Sequence, residues 1–377
     1  MTGERLRGRL EAWLLRIWFG PATAGDRLLA ALVAPVALPL SWLVAAVARR
    51  RRAALRRQQR SDGAVPVVVV GNLVAGGAGK TPLVAAIATG LAARGWRPGL
   101  LARGYRAGTT AALVDRDGDP ATLGDEAVLL AEQTGLPLAV GADRGAALAL
   151  LLTHHPDRDV VIADDGLQHT GLPRRLELLA IDRRGFGNGR CLPAGPLREP
   201  ADRVASVDAV IDTGGGAGSS GVGFSGSGSS DSGSSDGNAS AEPAPALTAA
   251  GPRRFASRLV AERFRTLDGA AGWSPAEFVA QFRDQPITAI AGIAAPERFF
   301  TTLRELGLTP RCEPLADHAR IDPHWLGALP GRWLLLTAKD AVKCRDLPAA
   351  TRARCVRLDV AAQPDPALLE WLTGALA

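Results

Sequence analysis

A short and almost continuously β-branched run leads straight into a glycine-rich loop, and this junction restricts the fold more than any other feature of the chain. The run occupies residues 65–70, the loop occupies residues 71–81, and an apolar helical pattern extends from about Pro82 to Ala93. A fully buried strand followed by a helix is typical of a parallel sheet that carries helices on its faces. We therefore expect an α/β fold with this loop at the carboxyl end of the first strand.

The composition of the loop indicates that it binds phosphate groups. Its glycines let backbone N–H groups approach phosphate oxygens, Lys80 can reach the β- and γ-phosphates, and the Thr81 hydroxyl can bind Mg²⁺. The common pattern has glycine at the position of Val74, so the backbone freedom has to come from the later glycines. We predict that a nucleotide is contacted by Val74, Ala75, Gly76, Gly77, Ala78, Gly79, Lys80 and Thr81.

Lysine is rare in this chain, so each lysine is a stronger candidate for a functional role. Lys80, Lys339 and Lys343 are the three lysines among 44 basic residues, and the others are arginines. A general preference for arginine explains the scarcity, and a glycine-rich turn with an incidental lysine is the plain alternative to a phosphate loop. Because Lys80 is the only lysine in the first 338 residues and stands between a strand and a helix, we favour the phosphate loop.

A second strand pattern ends in two acids. Residues 160–163 are apolar and are followed by Asp164 and Asp165. In P-loop proteins a strand of this form supports Mg²⁺ through its terminal carboxylate. The predicted metal ligands are Thr81, Asp164 and Asp165, and the pattern leaves open which of the two aspartates touches the metal.

Further polar residues follow predicted strands or open predicted helices. Gln168 and His169 occupy the loop after the two acids, and His169 serves equally well as a structural hydrogen-bonding residue. Asp125 and Glu126 open a helix, where Asp125 also has an ordinary role as a cap. Beside a phosphate loop and a metal, such acids and arginines describe phosphoryl transfer. The remaining candidates are Arg144, which follows a strand, and Arg198 with Glu199 in a rigid Pro/Gly loop.

Short apolar runs and helical patterns alternate along much of the chain. The clearest helical patterns are Asp125–Thr134 and Arg144–Thr153, and the apolar runs are short enough for strands that are buried on both faces. From Gly214 to about Pro252 the composition falls to Gly, Ser, Asp, Ala and Pro, which predicts a flexible insertion. We predict a P-loop NTPase-like, mainly parallel α/β domain at 61–213, the insertion at 214–252 and a smaller C-terminal α/β domain at 253–377.

Residues 1–60 have the pattern of a membrane-associated helical segment. Leu28–Ala48 carries no charge and is long enough to cross about 30 Å of hydrocarbon. Pro35 and Pro39 interrupt it, so a kinked span or a dipping hairpin is as compatible with the sequence as a straight span. Residues 4–18 are amphipathic and contain two tryptophans. The arginine run that follows the apolar segment is expected to keep the downstream chain in the cytoplasm and to attract anionic headgroups.

The net charge limits the kinds of partner that the chain can bind, and the cysteine content limits the metal sites and disulfides that it can form. The net charge of +6 suits an anionic partner, and the basic run lies beside the apolar segment without interleaved aromatic residues. This favours a membrane surface, and we expect no nucleic acid and no obligate protein partner. Four cysteines without a CxxC pair indicate reduced thiols and not zinc ligands or disulfides. A cleaved signal peptide fits poorly, and a buried helical hairpin of a soluble domain is the remaining alternative to membrane attachment.

Short sequence strings are spread over most of the chain outside the Gly/Ser-rich insertion. Two of them, DDGLQH and LPAGPLREP, are long enough that chance agreement with a family pattern is negligible. In chain order the strings are VGN at 70–72, GGAGKTP at 76–82, RGY at 103–105, GDE at 124–126, DDGLQH at 164–169, GNG at 187–189, LPAGPLREP at 192–200, GIAAP at 292–296, DH at 317–318 and TAKDAVK at 337–343.

This set resembles the tetraacyldisaccharide 4′-kinases, which are the lipid A kinases of Gram-negative bacteria. The resemblance implies ATP- and Mg²⁺-dependent phosphorylation of the 4′-hydroxyl of a tetraacylated glucosamine disaccharide 1-phosphate, at the cytoplasmic face of the inner membrane. It also implies that Asp125, paired with His318, activates the sugar hydroxyl, which is otherwise a poor nucleophile. We accordingly expect catalytic roles for Asp125, His318, Lys80 and Arg144, and substrate contacts from Glu126, Gln168, His169 and Arg198.

The chain departs from the family pattern at two positions. Ala319 stands where the family often has a second histidine, and Ala338 stands where it usually has glutamate. The first departure leaves His318 intact. Lys339 and Lys343 are kept, and they either meet a substrate phosphate or pack the second domain, with a structural role favoured.

Two other classes of P-loop protein compete with this interpretation. Switch ATPases of the partitioning and chaperone type usually have a lysine early in the loop, as in KGGxGK[ST], whereas this chain has Ala75 there. A P-loop protein that binds nucleic acid through its arginines is the other alternative, and the position of the basic run beside the apolar segment argues against it.

Overall fold

The three-dimensional description rests on a computed structural model in which the chain divides into two compact units. Unit 1 comprises Met1–Gln59, Gly71–Ala78 and Leu176–Ala256, and unit 2 comprises Arg60–Val70, Gly79–Arg175 and Ser257–Ala377. The domain boundaries inferred from the sequence stay a prediction, and most of the predicted insertion lies outside the described residues. The structure describes Leu10 and residues 13–58, 65–77, 79–104, 111–115, 118–169, 171–214, 251–317 and 319–377.

A long apolar helix, α1, covers Ala24–Gln58 in unit 1. Pro35 and Pro39 lie inside this helix, so the chain does not turn back at the prolines and the hairpin alternative does not hold. The stretch Ala24–Ala54 reaches a mean hydropathy of 2.2 and is only 6% buried, which does not fit a buried hairpin. It is therefore long and apolar enough to cross a membrane. Of the predicted amphipathic segment before it, residues 13–18 are helical, and most of the remainder lies outside the described residues.

A mainly parallel sheet with intervening helices forms the first part of unit 2. Its strands are β1 (Val67–Gly71), β2 (Pro98–Ala102), β3 (Ala112–Leu113), β4 (Leu138–Val140) and β5 (Val160–Asp164), and its helices are α2 (Lys80–Ala92), α3 (Pro120–Leu123), α4 (Asp125–Thr134) and α5 (Arg144–His154). The strand order is β1-β5-β2-β4-β3, and each pair is parallel except β3 with β4. Every residue of β1, β2 and β5 is buried. This confirms the prediction of a parallel sheet, since only central strands of such a sheet are apolar on both faces.

Three further strands follow, and they begin in unit 1. They are β6 (Leu176–Ile181), β7 (Ala209–Asp212) and β8 (Arg253–Thr266). β6 pairs in parallel with β7, which pairs in parallel with residues 253–256 of β8. The sequence did not predict β8, because eight of its fourteen positions are exposed or arginine-bearing and no continuous apolar run marks it. A strand of this kind is defined by its pairing partner and not by its own hydrophobicity.

The chain after β8 builds a second mainly parallel sheet in unit 2. Its elements are β9 (Gly272–Trp273), α6 (Pro275–Phe282), β10 (Ile287–Ala291), α7 (Pro296–Glu305), β11 (Arg311–Pro314), α8 (Pro323–Ala328), β12 (Trp333–Thr337), α9 (Ala338–Ala341), α10 (Ala349–Arg352), β13 (Cys355–Pro364) and α11 (Pro366–Leu376). The order is β11-β10-β12-β13-β8, with the last pair antiparallel. Phe264 and Phe278, both fully buried, stack at 4.2 Å in its core. The predicted C-terminal α/β fold is therefore confirmed.

Candidate active site

The first half of the glycine-rich loop is braced from within by Asn72, which is 1% exposed. Its Nδ2 atom donates hydrogen bonds to the carbonyl oxygens of Val74 and Gly76, at 2.7 and 3.3 Å. Gly76 has a φ of 97°, a left-handed conformation that glycine adopts without steric cost. The carbonyl oxygen of Gly77 accepts a hydrogen bond from Arg184 at 2.6 Å. The loop is therefore held in a defined conformation, and Gly76 supplies part of the expected backbone freedom.

The LPAGPLREP string lies against the same part of the loop. The N–H of Arg198 donates to the carbonyl oxygen of Leu73 at 2.7 Å, and the N–H of Ala75 donates to a carbonyl oxygen of the string at 2.8 Å. Between these bonds, Val74 and Leu197 form an antiparallel bridge. Val74 is 6% exposed. Its side chain thus packs in a strand-like segment, which gives a physical reason for valine where the common pattern has glycine.

The second half of the loop leads into α2 beside the two acids of β5. Gly79, at the cap of α2, is left-handed with a φ of 70°. Lys80 Nζ lies 3.2 Å from Asp165 Oδ1, and the Thr81 hydroxyl donates to Asp164 Oδ2 at 2.9 Å. These contacts arise because β1 and β5 are adjacent and parallel, so their carboxyl ends meet at one edge of the sheet. The structure therefore brings together Lys80 and all three predicted metal ligands, the threonine and the two aspartates.

Asp164 is enclosed at the end of β5, where it is 5% exposed. Its Oδ1 atom accepts no hydrogen bond from the described residues. Burial raises the pKa of the Asp164 carboxyl to about 6, although the charge of Lys80 and the hydroxyl of Thr81 act in the opposite direction. Asp165, directly after it, has a φ of 52°. An enclosed carboxylate oxygen without a donor is suited to a cation.

Arg144, the first residue of α5, is 2% exposed and reaches the same place. Its Nη2 atom donates to the carbonyl oxygen of Asp164 at 3.2 Å. Its Nε and Nη1 atoms have no hydrogen-bond partner among the described residues. Burial lowers the pKa of Arg144 to about 10, so the guanidinium stays charged at neutral pH. A buried cation with two open donors is a suitable partner for an anion.

Gln168 and His169 are half-buried in the turn that follows β5. The N–H of His169 donates to the carbonyl oxygen of Gly166 at 3.0 Å, and its own carbonyl oxygen accepts a hydrogen bond from Arg174. Burial, followed by the charge of Arg144, lowers the pKa of the His169 imidazole. The backbone of His169 therefore stabilises the turn, and its ring is neutral at pH 7.

Asp125 and Glu126 open α4, but Asp125 is not the cap of that helix. The cap position belongs to Gly124, whose φ is 96°, so the ordinary capping role considered for Asp125 is wrong. Asp125 is 7% exposed, and its Oδ1 atom accepts a hydrogen bond from the N–H of Glu126 at 3.1 Å. Asp125 therefore contacts the backbone of its neighbour without capping the helix.

Two lysines from the second half of the chain meet this acidic pair. Lys343 Nζ lies 3.7 Å from Asp125 Oδ2. Lys339 Nζ lies 3.0 Å from Glu126 Oε1 and 3.4 Å from Asp317 Oδ1. Burial disfavours the charge of Lys339, but the surrounding carboxylates outweigh it and raise its pKa. The contacts of Lys339 with Glu126 and of Lys343 with Asp125 have no signal in the sequence, because residues more than 200 positions apart share no local pattern.

Two of the predicted site residues, Ala78 and His318, lie outside the described residues. The roles assigned to them stay predictions. The other predicted residues fall into three groups: the loop with Arg198 in unit 1, the cluster around Asp164 in unit 2, and the pair Asp125 and Glu126 in unit 2.

The parallel sheet, the loop that ends in Lys80 and Thr81, and the neighbouring strand that ends in Asp164 define an α/β protein of the P-loop nucleotide-binding class. Residues 33–377 match the family described as Tetraacyldisaccharide-1-P 4'-kinase, LpxK. The chain belongs to this family, as the resemblance in its sequence strings predicted.

Curated relatives and a solved structure agree with this assignment. The chain is 38% identical over 369 residues to a tetraacyldisaccharide 4'-kinase of Dechloromonas aromatica, a match that covers 97% of this chain and 98% of the relative. It is 45% identical over 321 residues to the corresponding kinase of Alkalilimnicola ehrlichii, with 83% of each chain covered. The crystal structure of LpxK from Aquifex aeolicus in complex with ATP is similar at a TM-score of 0.69 and 23% identity, covering 93% of this chain and all of that one. This likeness confirms the predicted fold class.

Proposed function

We propose that this chain transfers the γ-phosphate of ATP to the 4′-hydroxyl of a tetraacylated glucosamine disaccharide 1-phosphate, a step of lipid A biosynthesis. Family membership sets the reaction, and the observation that carries the proposal is the meeting of Lys80, Thr81, Arg144 and the β5 acids at the carboxyl ends of β1 and β5. Cations, a hydroxyl and carboxylates converge there, as phosphoryl transfer needs.

In the proposed complex, the backbone of residues 74–79 and the side chain of Lys80 hold the nucleotide. The left-handed Gly76 and Gly79 allow N–H groups of the loop to turn towards phosphate oxygens. Arg144 neutralises the charge of the transferred phosphoryl group. This role is supported by its two buried donor atoms, which have no hydrogen-bond partner in the described part of the chain. Phosphate oxygens are the acceptors that such donors require.

Mg²⁺ fits the oxygens at the end of β5. Thr81, Asp164 and Asp165 would hold it, and the buried Oδ1 atom of Asp164 without a donor supports this assignment. Among the described residues no three or more His, Cys, Asp and Glu side chains gather into a cluster. That is consistent with an ion that takes one or two carboxylates and completes its shell with phosphate oxygens and water. When bound, Mg²⁺ neutralises charge that develops on the phosphate oxygens.

The proposed base is Asp125, with His318 as its partner. In the transfer, the carboxylate accepts the proton of the 4′-hydroxyl while the hydroxyl oxygen forms a bond to the γ-phosphorus. The bond between that phosphorus and the β–γ bridging oxygen breaks, and ADP departs with the electron pair. We assign Glu126, Gln168, His169 and Arg198 to the lipid substrate, because each is half-buried or exposed and lies near one of the groups described above.

We further propose that the chain acts at the cytoplasmic face of the inner membrane. The length, hydropathy and exposure of α1 support insertion into a bilayer. Residues 49–52 at its carboxyl end are four consecutive arginines, which favour the cytoplasmic side and anionic headgroups. The acyl chains of the substrate lie in the same bilayer, so an enzyme anchored there meets them without extracting the lipid.

A direct test supplies purified chain in detergent with γ-labelled ATP and the tetraacyldisaccharide 1-phosphate. We expect label in the lipid, and we expect it to survive mild acid, which removes the labile anomeric 1-phosphate but not a 4′-phosphate ester. The Lys80→Ala variant is the matched control and should incorporate no label. ATP hydrolysis without label in the lipid would refute the kinase assignment.

A further inference from the structure

A buried carboxylate lies directly behind the lysine that reaches Asp125. Lys343 Nζ is 2.8 Å from Asp340 Oδ1 on one side and 3.7 Å from Asp125 Oδ2 on the other. It also donates to the carbonyl oxygen of Ala319 at 3.5 Å. The Lys343 side chain is 14% exposed, so the ammonium has little access to solvent. One cation therefore connects the acid of the GDE string to the acid of the TAKDAVK string.

Asp340 is fixed in place by its own hydrogen bonds. It is completely buried, and its Oδ2 atom accepts from the Thr337 hydroxyl at 2.7 Å and from the N–H of Gly292 at 2.8 Å. A Cβ atom at Gly292 would stand 2.9 Å from Asp340 Oδ1, so the absence of a side chain there lets the carboxylate approach the backbone. Asp340 is thus a rigid anchor, and the cation that it holds has a fixed position.

The two segments are also joined by apolar contact. Leu129, one turn along α4 from Asp125, forms a small buried cluster with Ala338 and Val342. Val342 is the neighbour of Lys343 in sequence. Because close-packed side chains do not slide freely past each other, this cluster sets the spacing between Asp125 and Lys343.

We propose that Lys343, anchored by Asp340, is a positioning residue that holds the Asp125 carboxylate as a correctly oriented anion for the phosphoryl transfer. The inference rests on the proposed role of Asp125 as the base, and it adds residues of the C-terminal TAKDAVK string to that role. The ammonium acts by charge and placement and does not touch the transferred phosphate. At 3.7 Å the contact is an ion pair and not a short hydrogen bond, so it orients the carboxylate through charge.

Lysine suits this position better than the arginines that dominate the chain. The ammonium is a compact point charge that fits between two carboxylates, whereas a planar guanidinium presents five donors in a rigid fork. This gives a reason why a chain with three lysines among 44 basic residues keeps one of them here.

The test compares Lys343→Met with the unchanged full-length enzyme in detergent, measuring kcat and both KM values for transfer of label from ATP to the lipid. We expect kcat to fall about 10- to 100-fold, the scale of a small displacement of a reacting group. We expect KM for ATP to change less than about twofold, because the variant leaves the phosphate loop intact. Equal kcat in Lys343→Met and the unchanged enzyme would overturn the inference.

A double-mutant cycle with Asp125→Asn separates this inference from the proposed function. If Lys343 acts through Asp125, adding Lys343→Met to Asp125→Asn lowers kcat little further. A further loss by the full factor of the single variant would show independent action and overturn the inference. Full activity in Asp125→Asn would refute the base assignment and the inference with it, whereas loss in Asp125→Asn with full activity in Lys343→Met would refute the inference alone.

Two variants guard against a purely structural explanation. Asp340→Asn removes the anchoring charge but keeps an oxygen for Thr337 and Gly292, and we expect the same fall in kcat with unchanged KM for ATP. Arg345→Met removes a cation from the same segment, where it donates to the carbonyl oxygen of Gly118, and we expect unchanged kcat. Equal losses in Arg345→Met and Lys343→Met would assign the effect to the fold of the segment and overturn the inference.

Discussion

Lys80 and Asp165 form an ion pair, with Nζ of the lysine 3.2 Å from Oδ1 of the aspartate. The other two lysines of the chain are ion-paired as well, Lys339 with Glu126 and Lys343 with Asp125. Each of these three carboxylates belongs to a string that the sequence analysis connected with phosphoryl transfer. All three lysines therefore lie beside acidic residues of the candidate active site.

The first prediction concerns Lys80. The Lys80→Ala variant should lose transfer of label into the lipid by at least about 100-fold, because it removes a preorganised cation from the developing phosphate charge. Its far-ultraviolet circular dichroism should match that of the unchanged chain, since Lys80 begins α2 at the loop and lies outside the hydrophobic core. A transfer rate close to that of the unchanged chain would contradict the proposed role of the loop.

A second prediction concerns the base. Asp125→Asn and His318→Ala should each lower kcat by about 10²- to 10⁴-fold, the usual range for a positioned acid–base group. The measurement is the rate of lipid phosphorylation at saturating ATP. If the two residues act as one unit, the double variant will be no slower than the slower single variant. Independent, multiplicative losses would argue that they have separate functions.

The third prediction links stability to pH through Asp164. Burial raises the pKa of this carboxyl to about 6 from an ordinary value of 3.8. The folded state therefore favours the protonated form, and a destabilising contribution appears as the pH rises from about 4 and is complete above about 6. The Asp164→Asn substitution removes this destabilising contribution, and in EDTA at pH 8 the variant should be more stable to urea by about 3 kcal/mol.

The same variant provides its own controls. At pH 4 the advantage of Asp164→Asn should shrink to about 0.5 kcal/mol, because the carboxyl is then neutral in the folded state and about half-protonated in the unfolded state. With Mg²⁺ and ATP the order should reverse, since ligands that bind the folded state stabilise the unchanged chain and the variant has lost an oxygen for the metal. Equal stability of the two proteins at pH 8 would show that the ionised Asp164 carboxylate does not destabilise the folded state.

The fourth prediction concerns α1. Leu32 and Trp42 are 71% and 70% exposed on this helix, so they are expected to enter the bilayer. Leu32→Glu with Trp42→Glu should weaken binding to phosphatidylethanolamine–phosphatidylglycerol vesicles by at least about 100-fold, because charged residues are costly in hydrocarbon. Cosedimentation with the vesicles measures this.

The matched control is the pair Leu32→Ile and Trp42→Phe, which keeps the surface apolar and should bind vesicles as the unchanged chain does. ATP affinity in detergent should be the same in both double variants, since α1 contributes no residue to the phosphate loop. Vesicle binding that survives the two glutamates would refute the membrane role of this face.

The elements that the sequence predicted well are those whose burial follows from their own residues. The helix Asp125–Thr134 was predicted at its observed bounds, and the apolar run at 160–163 forms most of β5. Each has a hydrophobic pattern that suits one environment only, a buried strand or a helix with one buried face. The strand β8 was missed for the opposite reason, because its exposed arginines carry no such pattern and only the partner strands define it.

The candidate site divides in the same way. The order of strand, loop and helix determines that Gly79, Lys80 and Thr81 stand at the start of α2, because this follows from local conformation along a short segment. The family strings indicate the reaction, because the few residues that carry out the chemistry lie within them. The sequence by itself therefore established the fold class, the phosphate loop and the acids that belong beside it.

Only the tertiary structure decided how the distant parts meet. It placed Thr81 against Asp164, paired the backbone of Val74 with the LPAGPLREP string, and brought Lys343 between Asp125 and Asp340. The physical reason is that charge pairing and close packing act through space, over distances set by the whole sheet, whereas propensity and periodicity act along the chain. No pattern within a sequence string indicates which distant residue will contact it. The contacts between distant residues are therefore known only from the folded chain.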